Sequence, residues 1–433
     1  MKQKKSIFEI FASGISTIGA LFFICGFVAW LNATLIPHLK VACELSNFQS
    51  YFVAFAFYLA YAAVAGLSLR LLRKTDSKSG MVMGLMAMSA GAFIFVPAAL
   101  LRTYPLFLLG LLVSGAGVGL LQAVANPYAA ALGATESALP RRRSIADICG
   151  KAAGVVGTLA LGSILFYKID SLEASIRITE GASRAAELDT LAHKAVLPYL
   201  VIMLALAGAA LWVKSAPLPA IAAEQENGGQ EEGAPYSSIF RLPSLWLGLL
   251  ALFACSGAEV ISVGSAALYG KSVGMSFEVA KALPACSLFA ALLGCLLSIF
   301  VVPRFIGMER ALGVCAALGV IFSVVVVNVT GWLSVAFVAL LGLSGSIAWS
   351  SVFLLSIKKL GRGAKVGSAI LATGAAGGAL LPLAYGYLAD TIGNRQAYWM
   401  LTPCYAIILL YAAANFPAAK KKIPKAAKEN THE

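Results

Sequence analysis

Long apolar runs separated by short polar connections recur along almost the whole chain. A helix needs about 20 apolar residues to cross the hydrocarbon core of a bilayer. Windows of that length give twelve runs, at 14–37, 50–69, 80–101, 104–132, 144–167, 195–213, 245–269, 277–302, 311–329, 332–357, 366–388 and 397–416. They predict an all-α membrane protein with twelve transmembrane helices. A membrane β-barrel is excluded, because the runs are too long and lack period-two alternation. Residues 217–244 break the pattern with Glu224, Glu226, Glu231 and Glu232 among Gly, Pro and Ser. They read as a cytoplasmic linker. It separates an N-terminal six-helix bundle, 1–216, from a C-terminal one, 245–416, and a basic cytoplasmic tail follows at 417–433.

The two halves carry faint internal likeness. Leu21-Phe22 with Gly26 in helix 1 matches Leu252-Phe253 with Gly257 in helix 7. Ala152-Ala153-Gly154 in helix 5 matches Ala375-Ala376-Gly377 in helix 11. With a six-plus-six layout, this favours two repeated bundles facing a midplane site. Small residues cluster at Gly115-Ala116-Gly117 with Gly119, and at Gly374 through Gly378. Such clusters serve close helix packing, and the same helices are candidates to slide or hinge.

Charge fixes an orientation. Only 12% of residues are charged, and the net charge is +13. The basic residues gather on one side: Lys2, Lys4 and Lys5, then Arg70, Arg73, Lys74 and Lys78, Arg141 to Arg143, Lys214 and Arg241, Arg304 and Arg310, Lys358, Lys359, Arg362 and Lys365, and the tail lysines from Lys420 to Lys428. The opposite loops hold fewer, including Lys40, Arg102, Lys168, Arg177, Arg184, Lys194, Lys271, Lys281 and Arg395. The positive-inside bias predicts both termini in the cytoplasm. The basic excess is thus a topology signal, and no nucleic-acid partner is expected. The first run is too long for a signal peptide's apolar region and is followed by further spans. The eight cysteines show no metal or redox spacing and read as small apolar filler. The three histidines, His38, His193 and His432, are expected in loops or the tail. No phosphate-binding Gly-Lys-Ser/Thr loop or catalytic constellation is visible. The chain therefore reads as neither an ATP-driven pump nor an enzyme, with no cofactor or metal.

Candidate chemistry lies in the polar residues inside the spans. A charge at the centre of a membrane helix costs about 2.5–3.5 kcal/mol on insertion scales. Glu259 sits mid-helix in Gly257-Ala258-Glu259-Val260, with no basic residue within ten positions. A lone carboxylate there can cycle between protonated and ionised forms or accept hydrogen bonds from solute hydroxyls; alternatively it bonds a neighbouring helix. Asp147 and Lys151 lie four apart in helix 5, acid first, the favoured order for a helical pair. Lys151 either pairs with Asp147 or faces the cavity, toward substrate or Glu259. Gln122 and Asn126 lie four apart in helix 4 before Pro127. Gln122 is a candidate substrate contact, and Asn126 either another or a cap for backbone groups freed by the proline. Trp30 and Asn32 in helix 1, and Trp349, Ser350 and Ser351 in helix 10, complete the set.

Several of these residues sit in recognisable surroundings. Phe22-Phe23-Ile24-Cys25-Gly26-Phe27-Val28, then Leu31-Asn32 and Leu35-Ile36-Pro37-His38-Leu39-Lys40, resembles helix 1 of the fucose permease and glucose/galactose porter branch of the major facilitator superfamily. Leu121-Gln122 through Asn126-Pro127-Tyr128 is similar to that branch's helix 4, and Gly257-Ala258-Glu259-Val260 to helix 7 of its glucose/galactose members. Leu360-Gly361, Gly367-Ser368-Ala369, Ala376-Gly377-Gly378-Ala379, Leu381-Pro382-Leu383, Tyr385-Gly386 and Ala389-Asp390 resemble the end of helix 10 and helix 11. The resemblance implies alternating access by two rocking bundles in the inner membrane. It implies uptake of a neutral monosaccharide, driven by H+ or Na+, through a monomer. The chain departs from the branch at Ala33, where an aspartate is usual, near Ala54, where helix 2 usually has a glutamine, and at Ile148 to Lys151, where a Gln and an Asn usually face the sugar. Gln122 stands where fucose permeases carry a glutamate. Three readings follow. The chain carries a sugar past Gln122, Lys151 and Glu259, with Glu259 and Asp147 as coupling residues. Or Lys151 recognises a sugar acid or other organic anion. Or the scaffold is a non-transporting sensor.

Overall fold

The computed structural model describes residues 14–71, 76–131, 139–216, 240–302, 305–360 and 364–416. Most of the linker (217–239), the tail and the N-terminal lysines lie outside these residues. So does His432, and so do the side chains of Asn126 and of Arg141 to Arg143.

Twelve candidate membrane spans appear among the described residues. We label them α1 Gly14–Ala42, α2 Phe52–Leu71, α3 Ser77–Leu100, α4 Tyr104–Ala131, α5 Leu139–Leu165, α6 Val196–Ser215, α7 Pro243–Gly264, α8 Leu283–Val301, α9 Met308–Asn328, α10 Gly331–Gly345 continued by Ala348–Leu360, α11 Ala364–Ala372 continued by Gly377–Thr391, and α12 Leu401–Ala414. Their lengths follow from the bilayer, since each must satisfy its own backbone groups where no water reaches.

In the first half α1 packs on α5, α2 on α4, and α3 on α4 and α6. In the second half α7 packs on α11, α8 on α10, and α9 on α10 and α12. Each pairing is the other shifted by six helices, which is what a duplicated bundle produces. The halves meet along two seams, α2 against α11 and α5 against α8. Small residues make the closest approaches possible. A Cβ on Gly26 would run into the Gly150 backbone where α1 meets α5. One on Gly377 would strike the Phe253 carbonyl where α11 meets α7.

Three features depart from the sequence expectation. First, α1 does not stop near residue 37 but runs through Pro37 to Ala42. His38 is therefore not in a loop; it is fully buried in the helix, edge-on to Phe166. Proline permits this because neighbouring packing tolerates the lost backbone bond. Second, the α5–α6 connection is not irregular. It forms two further helices, Ile169–Ile178 and Gly181–His193, which puts His193 in a helix as well. The first is too short and polar to register as a span, and the second leads directly into α6, the two forming one candidate segment, Gly181–Ser215. Arg184 pairs with Glu44, and Arg102 with Asp189, holding the second of them over the ends of α1 and α3. Third, two spans are interrupted. α10 breaks at Ser346 and Ile347, and α11 passes through a 3-10 turn over Thr373–Ala376. Mid-helix 3-10 turns often mark hinges, and both interruptions border the cavity described next.

Candidate functional site

A cavity of about 160 Å³ lies between the halves, many times the space one water needs. α1 supplies Trp30, α2 Tyr58 and Tyr61, α4 Gln122, and α5 Asp147 and Lys151. From the other half come Ser256 and Glu259 on α7 and Ser346, Trp349 and Ser350 on α10. Of the residues singled out from the sequence, seven thus converge on one space.

The centre of the site is an ion pair between the Lys151 ammonium and Oε1 of Glu259. It spans the two halves. Both side chains are largely shielded, at 12% and 19% exposure. The Lys151 ammonium also lies over the Trp30 ring, 4.8 Å from its centroid, a cation–π contact that strengthens as water is removed. Of the partners the sequence left open for Lys151, the geometry joins it to Glu259; Asp147 lines the same cavity one turn away. The pair is neutral overall, which makes two charges tolerable in an apolar interior. Desolvation offsets much of its Coulomb energy, but either charge left alone would be far costlier than the pair.

Around the pair stand neutral hydrogen-bonding groups. Tyr61 donates from its hydroxyl to Oε1 of Gln122 at 3.1 Å. This fixes the amide and leaves its NH2 group to point elsewhere. Ser256 donates to the Ala375 carbonyl at 3.3 Å, inside the 3-10 turn of α11. The α10 break frees the Ser346 carbonyl, which accepts from the Cys295 thiol at 3.1 Å. Ser350 is bonded within α10, to the Ile347 carbonyl at 3.3 Å. Gly345, next to the break, lets α10 approach Glu259: a Cβ there would sit 3.9 Å from the Glu259 Cγ. The rings of Trp30 and Trp349, with neutral donors and acceptors between them, suit a small solute with alternating apolar and hydroxyl faces.

Asn32 falls elsewhere. It is buried, donates to the Ala29 carbonyl at 3.0 Å, and lines a separate small cavity inside the first half with Ser114 and Tyr199. Asn126 belongs to α4, but its side chain is outside the described residues. Ser351 is buried one position beyond Ser350. Tyr58, Tyr61, Ser256 and Ser346 were not singled out from the sequence. The i, i+3 spacing of the two tyrosines, which puts them on one helix face, was the available signal.

Two duplicated halves closing on a shared polar cavity define a solute carrier of the two-bundle type. The chain belongs to the Major Facilitator Superfamily, whose family model matches residues 18–382. It is 32% identical over 401 residues to the glucose/galactose transporter of Brucella abortus, covering 92% of each chain. It is 25% identical over 408 residues to the L-fucose-proton symporter of Escherichia coli, covering 91% of each. Among solved structures, it matches that of a Major Facilitator Superfamily transporter, FucP, in the outward conformation, with a TM-score of 0.71 and 24% identity over 92% of this chain and 98% of that one. These relatives and the twelve spans make it a multi-pass inner-membrane protein of transporter rather than enzyme class.

Proposed function

We propose that the protein carries a neutral monosaccharide across the inner membrane by alternating access, with a proton as the coupling ion. The ends of the helices where α1 joins α2, α5 joins α6, α7 joins α8 and α11 joins α12 then face the periplasm, as the charge bias requires. The observation that carries this reading is the Lys151–Glu259 pair, which ties the two halves across the cavity. Protonating Glu259 dissolves that tie and leaves Lys151 to the Trp30 face and to solute hydroxyls. Reforming it on release of the proton draws the halves together again. The sugar's apolar face stacks on Trp30 or Trp349, and its hydroxyls bond Gln122, Tyr61 and Ser256. The names of the relatives, glucose/galactose transporter and L-fucose-proton symporter, support the substrate class and the ion. A neutral solute is favoured over an acidic one because Glu259 and Trp30 already engage the Lys151 charge, so a substrate carboxylate would have to displace Glu259.

The test uses purified protein in liposomes with a pH-sensitive dye inside or outside. Glucose, galactose or fucose added to one side should alkalinise that side as it enters, and Glu259→Gln should abolish the proton signal. Glucuronate should give no flux. Sugar flux with no proton movement and no pH dependence would sink the coupling, and flux of glucuronate alone would make Lys151 an anion-recognition residue. Binding without flux would place the protein among non-transporting sensors.

A further inference from the structure

The same helix ends that carry the α1–α2, α5–α6, α7–α8 and α11–α12 connections hold a second polar arrangement, made by residues that do not line the cavity. Asp390, at the end of α11, accepts from the backbone N–H of Asn47 and of Phe48, at 3.0 and 2.8 Å. The Asn47 amide also donates to it, at 2.7 Å. Asn47 and Phe48 open the short helix Asn47–Ser50 that leads into α2, with Ser46 as its N-cap. So a carboxylate of the second half caps the entry to a helix of the first half.

The converse contact also exists. Asp170, just past α5, accepts from the backbone N–H of Phe277 and of Glu278, at 2.9 and 3.0 Å. These residues open the short helix Phe277–Ala280 that leads into α8, with Ser276 as its N-cap. Here a carboxylate of the first half caps a helix of the second. Lys271, also of the second half, lies 3.5 Å from Asp170 and 2.6 Å from Glu173. The sequence repeats with the geometry. Tyr167-Lys168-Ile169-Asp170 matches Tyr387-Leu388-Ala389-Asp390, both Tyr-x-x-Asp, and Ser276 stands in its loop as Ser46 does in its own. A carboxylate at free N–H groups of a helix start is a charge-assisted bond to the positive end of the backbone dipoles.

We propose that Asp170 and Asp390 are a matched pair of gate latches, one on each seam between the halves, which hold this end of the carrier shut and must both release for the cavity to open there. Both seams, α2 with α11 and α5 with α8, are crossed by one latch each. Apolar closure lies beneath them: Tyr51 packs edge-on to Tyr385, with centroids 5.5 Å apart, and Phe166 stacks on Phe277 at 5.5 Å. Rotation of one bundle against the other separates each carboxylate from its amides. The duplication explains why the two latches act together, since a single rotation breaks both. This gate rests on the alternating-access reading above but not on the identity of the solute.

The experiment places a reporter thiol in the cavity with Ala29→Cys and follows its reaction with a membrane-impermeant methanethiosulfonate. The rate is the difference between protein with and without the reporter, measured in right-side-out and in inverted membrane vesicles. From the latch side the parent should react slowly. Asp170→Asn or Asp390→Asn alone should raise that rate severalfold, and the double variant at least tenfold, while the rate from the opposite side falls. Asp189→Asn, which removes a carboxylate pairing with Arg102 inside the first half at 3.4 Å, should change neither. A double variant that elutes as a single species and reacts at the parent's rate overturns the latch. Should the aspartate variants fail to accumulate, Asn47→Leu removes the side-chain donor to Asp390, and Lys40→Met, which removes the other partner of the Asn47 side chain, controls for the loss of that contact; the latch then requires an intermediate rise in Asn47→Leu that Lys40→Met lacks, and no rise overturns it. Accelerated labelling without sugar flux keeps the gate and rejects the sugar reading, and sugar flux with unchanged labelling does the reverse.

Discussion

At the scale of single residues, the site is organised by one compensation. Lys151 sits where a neutral side chain would be expected in this family, yet its charge does not stand alone, because Glu259 on the facing half cancels it. That predicts a non-additive mutant cycle. Lys151→Met strands the Glu259 carboxylate, and Glu259→Gln strands the ammonium; removing one partner of a buried pair typically costs about 3–5 kcal/mol. The double variant strands nothing and should recover most of that loss, so the coupling between the two changes should be at least as large as either single loss, about 3 kcal/mol or more. Thermal melts of the four proteins in detergent check it. Additive losses would mean that the two groups act independently. The sequence exposed both charges, because charge in a span is rare enough to stand out. It left Lys151 poised among three partners, because two residues more than 100 positions apart have no sequence signal for contact. Tyr61 and Ser256 did not stand out for a related reason: a hydroxyl in an apolar span can equally bond its own helix, as Ser262 does to the Ala258 and Glu259 carbonyls.

At the scale of helices, hydropathy in windows of about 20 residues revealed every span found among the described residues, because the bilayer imposes a minimum length that no soluble core demands. It missed the pair of short helices before α6, whose mixed faces lie over the bundle end rather than across the membrane. It also placed the end of α1 too early at Pro37, since a proline stops a helix in water more reliably than in a packed bundle. The small-residue clusters read as packing surfaces, and the contacts give that reading a measurable form. Gly377 has the Phe253 carbonyl where its Cβ would be, while Gly208 of α6 meets nothing within 4 Å. Gly377→Ala should therefore force α7 and α11 apart and lower stability by about 1–3 kcal/mol, the usual cost of overpacking. Gly208→Ala should leave the melting temperature unchanged or slightly raised, because alanine is the better helix former by about 0.8–1.0 kcal/mol. Equal effects at the two sites would mean that α11 does not pack on α7 as closely as the backbone indicates. The same comparison separates packing from transport: Gly377 adjoins the 3-10 turn of α11, so its variant should lose flux as well as stability.

At the scale of the whole molecule, two polar systems bridge the halves, one in the cavity and one at the connecting ends, and they differ in how acid affects them. Burial raises the Asp170 carboxyl, but the amides of Phe277 and Glu278 and the Lys271 ammonium outweigh it and hold it below the ordinary carboxylate range. A group whose pKa is depressed in the closed state favours closure above its unpaired pKa, about 3.9. That contribution fades only as the pH falls through the lowered value. From pH 5 to 8 the Asp170 latch should thus be insensitive to pH, and any pH dependence of flux in that window should arise at the Lys151–Glu259 pair. Two measurements on the same vesicles test this division. Because only the thiolate reacts, labelling of the Ala29→Cys reporter from the latch side is divided by its rate in the Asp170→Asn/Asp390→Asn double variant at the same pH; this ratio should vary less than twofold between pH 5 and 8, whereas sugar uptake should change with pH in the parent and not in Glu259→Gln. Near the gate, the described histidines are His38, buried under the α5–α8 seam, and the more exposed His193. A labelling ratio that climbs with acid in the parent but not in His38→Gln would move the proton switch from the cavity to the end of α1. Flat labelling with pH-dependent uptake would leave the carrier with a mechanical gate at one level and a chemical one at the other, joined only by the rigid rotation of two duplicated bundles.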